Sequence, residues 1–259
     1  MNSDLILEVR DLHVNIYDRN ILSNINLDVK KGSILGIIGE SGSGKSLLCQ
    51  AIMRGLPQNT MQLKGQVFYN HIDLMTLSQE KMRGFRGKHI SIIMQNPMTA
   101  FDSGQTIEMH FASTLKTHFK MRKKEIREIA IYYLEKVNLP NAKNLLKYYP
   151  FQLSGGMLQR VMIALSLTLK PQIIIADEPT TALDTINQKN ILKLFHQIKE
   201  EMNTTIIVVT HDLGVIAQIA DDVAVMYKGE IVEYTNVYDC FDNPQHPYTK
   251  KLLASRITR

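Results

Sequence analysis

The sequence predicts an α/β protein with a mostly parallel sheet, an antiparallel β subdomain at its N-terminus and an inserted α-helical subdomain. Three observations predict it. After residue 153, strand-sized apolar runs alternate with helical patterns, the order that builds a parallel sheet covered by helices. A continuous apolar run, SILGIIG at 33–39, leads through small and polar residues into a helical pattern. From about Met98 to Leu153 helical patterns dominate.

Each element has its own reason. LILEVRDLHVNI (5–16) alternates and is rich in Leu, Val and Ile, as a half-buried strand is. ILSNINLDV (21–29) reads the same way, so the two are expected to pair as an antiparallel ribbon. Lys30, Lys31 and Gly32 make a turn. SILGIIG has the unbroken apolar pattern of a strand buried on both faces, and SLLCQAIMRGL (46–56) has helical spacing. In KKEIREIAIYYLEKVNL, Ile126, Ile129, Tyr133 and Val137 recur on one helix face, with Arg122–Lys124 on the wet side. Beyond residue 153 come a helix (QRVMIALSLTL), a buried strand (QIIIADE), a helix (INQKNILKLFHQIKEEM), a strand (TTIIVVT), a helix (VIAQIAD) and a hairpin-like pair (VAVMYKGEIVEY). The chain reads as one domain, 1–259: residues 1–97 and 154–259 are the core with its β subdomain, and 98–153 the helical subdomain.

Bulk composition narrows the class. At 259 residues, 44% hydrophobic and 21% charged, the chain resembles an ordinary globular protein. Two distant cysteines, Cys49 and Cys240, lack metal-type spacing and point to a reducing compartment. The opening residues show no secretory signal. The chain's apolar runs, such as IIIA at 173–176 and IIVV at 206–209, are short, whereas a membrane span needs about 20 residues. A net charge of +5 suits phosphates or anionic surfaces but equally a solvated basic surface. His110 and His118 share a helical pattern without a suitably spaced third ligand, which argues against a metal site. Most of the 13 methionines fall in apolar stretches and are expected in the core.

Two stretches carry chemistry. GESGSGKS (39–46) matches G-x-x-x-x-G-K-[ST] in full, between a strand and a helix, the context this pattern requires. Its glycines let the backbone of Gly39, Glu40, Ser41, Gly42, Ser43 and Gly44 wrap an anion and aim N–H groups at it. The helix behind adds its positive end. Lys45 reaches the β- and γ-phosphates, and the Ser46 hydroxyl can hold Mg²⁺. A plain small-residue turn would not need the Lys-Ser pair. The stretch therefore reads as the nucleoside triphosphate site of a P-loop NTPase (RecA-like) core. IIIADEP (173–179) is a strand ending in two carboxylates at the sheet's carboxyl edge, where ligands bind in open α/β sheets. Asp177 would hold Mg²⁺, and Glu178 would orient and deprotonate the attacking water. A surface Asp-Glu is the alternative, weakened by the first motif.

LSGGMLQR (153–160) resembles the signature motif of ATP-binding-cassette ATPases. The other pieces follow in order: Gln95 in IMQNP resembles the Q-loop, TALD ending at Asp184 the D-loop, and His211 in VVTHD the switch histidine. Tyr17 lies where these proteins carry an aromatic that stacks on adenine; the alternative is an edge-strand tyrosine. The resemblance spans the chain. It implies two cassettes closing head to tail on two ATP molecules, with each γ-phosphate between Lys45 of one and Ser154, Gly155 and Gly156 of the other. The glycines would offer N–H groups from the helix expected to open after 156. His211 would contact the γ-phosphate, and Gln95 would sense Mg²⁺ and the water. Alone, His211 would read as a capping or core histidine.

ESGSGKS, Met157-Leu158 and NPQHPYTKKLLAS (243–255) resemble the ATPases of dipeptide, oligopeptide and nickel importers. YPFQLSGGMLQRVMIA with IIADEPTTALD is most similar to the nickel-import type. The family implies two membrane permease subunits, a second cassette (a paralogue favoured over an identical copy), an extracellular substrate-binding protein and a peripheral position on the cytoplasmic membrane face. No iron–sulfur cluster is expected, because the longer cysteine-bearing tail of some members is not seen. One departure is Asp102-Ser103 in place of Asn-Pro, in a region expected to face the membrane subunit. Nickel or a metal chelate ranks ahead of peptides. A soluble cassette acting on nucleic acid or ribosomes is disfavoured: such chains usually carry two cassettes or a long coiled coil, so no nucleic-acid partner is expected. A non-catalytic subunit is disfavoured by the intact Lys45, Asp177, Glu178 and His211, and an exporter by the HPYT tail.

Overall fold

The computed structural model describes residues 4–17, 19–57, 61–181 and 183–257. Ala182, inside the expected D-loop, lies outside them. In chain order the elements are β1 (Leu5–Ile16), β2 (Arg19–Lys30), β3 (Ile34–Ile38), α1 (Lys45–Ile52), β4 (Met61–Tyr69), β5 (Ile72–Asp73), α2 (Gln79–Phe85) and β6 (Ile90–Ile93). A helical run follows: α3 (Pro97–Ala100), α4 (Ile107–His118), α5 (Lys123–Lys136), α6 (Ala142–Leu145) and α7 (Gly155–Leu167). Then come β7 (Ile173–Asp177), α8 (Thr185–Met202), β8 (Thr205–Thr210), α9 (Leu213–Ile219), β9 (Asp222–Tyr227), β10 (Glu230–Asn236), α10 (Val237–Asp242) and α11 (Pro247–Ile257). The chain forms two compact units, residues 1–83 with 198–259, and residues 84–197.

The first unit holds the expected ribbon: β1 pairs antiparallel with β2 and, on its other side, with β4. Its second sheet runs β10-β9-β3-β8. β3 is parallel to both β8 and β9, and β10 closes the edge antiparallel. All five residues of β3 are buried, as a central parallel strand demands. Burying each Ile or Leu stabilises by about 1.5–3 kcal/mol. α9 packs on this strand so closely that a Cβ at Gly36 would lie 2.8 Å from Ile216. The Asp221 carboxylate fixes the strand's start, accepting the Ile34 N–H at 2.7 Å while Lys199 holds it at 3.0 Å.

α1 is shorter than the pattern at 46–56 suggests. Arg54 takes a left-handed φ of 48°. The Gly55 N–H then bonds back to Gln50 O at 2.8 Å and the Arg54 N–H to Ala51 O at 2.9 Å, a turn that ends helices. The Arg54 guanidinium stays there by donating to Leu74 O and Leu77 O.

In the second unit β6 and β7 are parallel, and residues 98–153 are helical wherever they are regular. α5 buries Ile126, Ala130, Tyr133 and Leu134 and leaves Arg122–Lys124 exposed. Arg160 of α7 donates to Val137 O at 2.9 Å, satisfying the end of α5. The methionines depart from expectation. Met53, Met82, Met162 and Met226 are buried, but Met94, Met98 and Met109 are exposed. Their stretches are apolar in composition yet lie at a strand's exit and on outer faces of short helices.

Candidate functional site

In the first unit, parallel register sets the site. Ile38 pairs with Thr210 across β3 and β8. The next residues, Gly39 and His211, therefore leave the sheet at the same carboxyl edge, where ligands bind in such sheets. Gly39 must be glycine: its φ is 155°, and a Cβ there would lie 2.2 Å from Met226 O at the end of β9. Gly44 has φ 103° and serves as the N-cap of α1 without a side-chain cap, so the helix start faces the loop as bare backbone.

Lys45 is only 6% exposed. Its ammonium lies 2.9 Å from Gly39 O, 2.9 Å from Glu40 O and 3.5 Å from Ser43 Oγ. A buried ammonium costs heavily unless oxygens surround it; these do so by curling the loop around it. That curl, with a backbone approach that forbids a Cβ at Gly39, fits a polyphosphate. The loop is also tied from outside: Gly229 N–H donates to Ser43 O at 3.0 Å, and Glu40 N–H donates to the Tyr248 hydroxyl at 3.0 Å. A cavity of about 810 Å³ opens here, lined by Gly39, Glu40, Ser41, His211, Asp212, Leu252 and Ser255. Asp212 caps α9, accepting from Gly214 N at 2.8 Å and Val215 N at 3.4 Å. His211 is therefore not the capping residue; it is exposed at the rim. Tyr17 sits in the turn after β1 with φ 51° and is 74% exposed, so it is not an edge-strand residue.

The same register logic works in the second unit. Ile93 pairs with Ala176 across β6 and β7, so Gln95 and Glu178 both stand two residues past the pair, at one carboxyl edge. Asp177 ends β7 half-buried. Glu178 is 8% exposed and holds a left-handed φ of 50°; its carboxylate accepts a short hydrogen bond from the Thr181 hydroxyl. A non-glycine residue in that conformation stores strain of about 1–3 kcal/mol, which persists only when neighbours enforce it. Asp184 accepts Asn187 N at 2.8 Å and Asn187 Nδ2 at 2.6 Å. The Asn187 N–H, chiefly, draws its carboxyl below the usual range.

Helix α7 opens at Gly155, not after 156. Ser154 is its N-cap, its hydroxyl accepting Met157 N at 3.3 Å, as serine does at helix starts. The space beside Gly155 is open, while a Cβ on Gly156 would meet Asn187 at 3.1 Å. His110 stands edge-on to Phe101 with its Nε2 3.1 Å from Asp102 O, and His118 ends α4. Asp102, the departure from the family pattern, makes a local turn by accepting Gly104 N at 2.9 Å. Sequence reasoning missed Thr181 and Tyr248. Thr181 stands three residues past Glu178, and Tyr248 lies in the HPYT motif, read only as a family marker.

The sequence model described as ABC transporter matches residues 22–181. The metal-staphylopine import system ATP-binding protein of Staphylococcus aureus is 43% identical over 239 residues, 92% of this chain and 88% of that protein. The dipeptide transport ATP-binding protein of Bacillus subtilis is 44% identical over 255 residues, 96% of this chain and 76% of that protein. A solved ATP-binding cassette, dimeric in a post-hydrolysis state with ADP and Pi, superposes with TM-score 0.78 at 27% identity, over 89% of this chain and 98% of that one. A cassette from Clostridium perfringens, part of an ABC transporter complex, gives TM-score 0.78 at 28% identity over 98% of both chains. By the family match over residues 22–181 and these relatives, the chain belongs to the ABC transporter family, among its ATP-hydrolysing cassettes.

Proposed function

We propose that this cassette hydrolyses ATP to energise a membrane importer of a metal chelate. The observation that carries the ATP reading is the curl of residues 39–46 around the buried Lys45. Gly39 to Gly44 and Lys45 would hold the phosphates, and Tyr17 would stack on adenine. Ser46, Gln95 and Asp177 suit an Mg²⁺ ion, which would neutralise charge on the β- and γ-phosphates. Glu178 acts as general base toward water, and His211 contacts the γ-phosphate. Ser154 and Gly155, exposed at a helix start, and the buried Gly156 behind them serve the γ-phosphate of a second cassette, with Asp184 beside that contact. A single set of motifs supports a paired cassette, and the importer relatives support two permease subunits and an extracellular binding protein. Among the described residues no helix is long and apolar enough to cross a membrane; the importer relatives support a peripheral seat at the cytoplasmic face.

The cargo reading rests on the relative that serves metal-staphylopine import. The dipeptide relative, at 44% identity, favours a second reading as a peptide importer's ATPase. Uptake of labelled nickel, with and without a metallophore, and of a labelled dipeptide in cells carrying Glu178→Gln tests both. Loss of metal uptake alone supports the first reading. Loss of dipeptide uptake alone replaces it with the second.

A further inference from the structure

The C-terminal segment 245–255 is built onto the phosphate loop. Glu233 of β10 seats its beginning, accepting the N–H of Gln245 at 2.8 Å and of His246 at 3.0 Å. His246 Nδ1 accepts the Tyr248 N–H at 3.1 Å. The Tyr248 ring is buried and stacks on Tyr227 with centroids 4.1 Å apart. From there α11 runs along the cavity, Leu252 and Ser255 lining the same space as Glu40 and His211. Burial raises the pKa of the Tyr248 hydroxyl, so it stays protonated at working pH.

The Tyr248 hydroxyl accepts the Glu40 N–H at 3.0 Å. That N–H and the Gly39 carbonyl belong to one peptide unit, and the Gly39 oxygen lies 2.9 Å from the Lys45 ammonium. One peptide plane is thus gripped at both ends, by a tyrosine from the tail and by the phosphate-binding lysine. Bonds linked through a peptide polarise and reinforce one another. We infer that Tyr248 is a positioning residue for nucleotide binding: its hydroxyl fixes the 39–40 peptide, and with it the resting place of the Lys45 ammonium. This rests on the reading of residues 39–46 as the phosphate loop.

Tyr248→Phe tests it in the full chain, because phenylalanine keeps the buried ring and its stack. Losing one net hydrogen bond should raise the ATP Kd and KM about threefold to tenfold. kcat should stay within about twofold, the pattern of lost uniform binding. Hydrogen exchange should quicken at residues 39–41 of the nucleotide-free protein. Unchanged Kd and KM in Tyr248→Phe would overturn the inference, and so would a lower kcat or melting temperature with KM unmoved, which marks a purely structural tyrosine. Lys45→Ala in parallel separates the two levels. If it abolishes ATP binding while Tyr248→Phe binds normally, the tail fails and the loop reading stands. If Lys45→Ala binds ATP normally, the loop reading itself fails.

Discussion

The loop at 39–46 and the turn at 177–184 both leave a buried five-residue strand, yet they are held in opposite ways. The loop is tied to distant segments: Ser43 to Gly229, Glu40 to Tyr248, and Gly39 against Met226. In the turn the bonds seen join near neighbours: Thr181 onto Glu178, Leu183 N–H onto Thr180 O at 3.1 Å, and Asn187 onto Asp184. The difference teaches where each is vulnerable. A backbone cradle for an anion depends on what surrounds it. The buried Glu178 carboxylate is bonded by a residue three positions along the chain.

The largest effect comes from the turn. Glu178→Gln keeps size and leaves an oxygen for the Thr181 hydroxyl, so the fold and ATP affinity should survive. Hydrolysis should slow by about 10²–10⁴-fold, the usual contribution of a general base. Single-turnover hydrolysis beside an ATP titration decides it; turnover at the native rate would remove Glu178 from its role.

Next is the tied loop. Gly39→Ala sets a Cβ against Met226 O and forces alanine to a φ that L-residues avoid. Strain of about 1–3 kcal/mol at the loop should weaken ATP binding by about 5- to 150-fold. Native affinity in this variant would mean that β9 does not brace the loop. A third, smaller effect concerns α9. Asp212→Ala removes the cap of α9 and should cost about 1 kcal/mol of stability in urea unfolding. No loss would show that the helix start is held by packing alone.

The contrast also explains what the sequence made legible. The loop's glycines and Lys45 are contiguous, and each obeys a local rule of backbone or charge, so GESGSGKS could be read without coordinates. Asp177-Glu178 was legible because an unbroken apolar strand stops there. The Glu40–Tyr248 contact spans 208 positions, and no local pattern encodes it. Nor does periodicity reveal that Glu178 sits at a positive φ, since its neighbours enforce that only in the fold. β4 escaped because Lys64, Gly65 and Gln66 are all exposed and break the alternation. The exposed methionines misled because composition alone cannot assign a face.

The smallest effect sharpens the comparison from the side of the tail. Burial pushes the Glu233 carboxyl up, but the N–H groups of Gln245 and His246 help to outweigh this, and its pKa falls below 4.5. A carboxyl with a lowered folded pKa contributes stability above its unfolded value, and that contribution is lost as pH falls through the folded one. The seat of α11 should therefore be intact at neutral pH and loosen only below about pH 4.5. Hydrogen exchange at residues 247–257 in the nucleotide-free protein reads this without interference from the titration of ATP. Glu233→Gln should show faster exchange there at pH 7 and little further change on acidification, while the native protein converges on it at low pH. If instead both respond to acid alike, the tail is held by Tyr248 and its apolar neighbours, and the loop's outer anchor does not depend on this carboxylate.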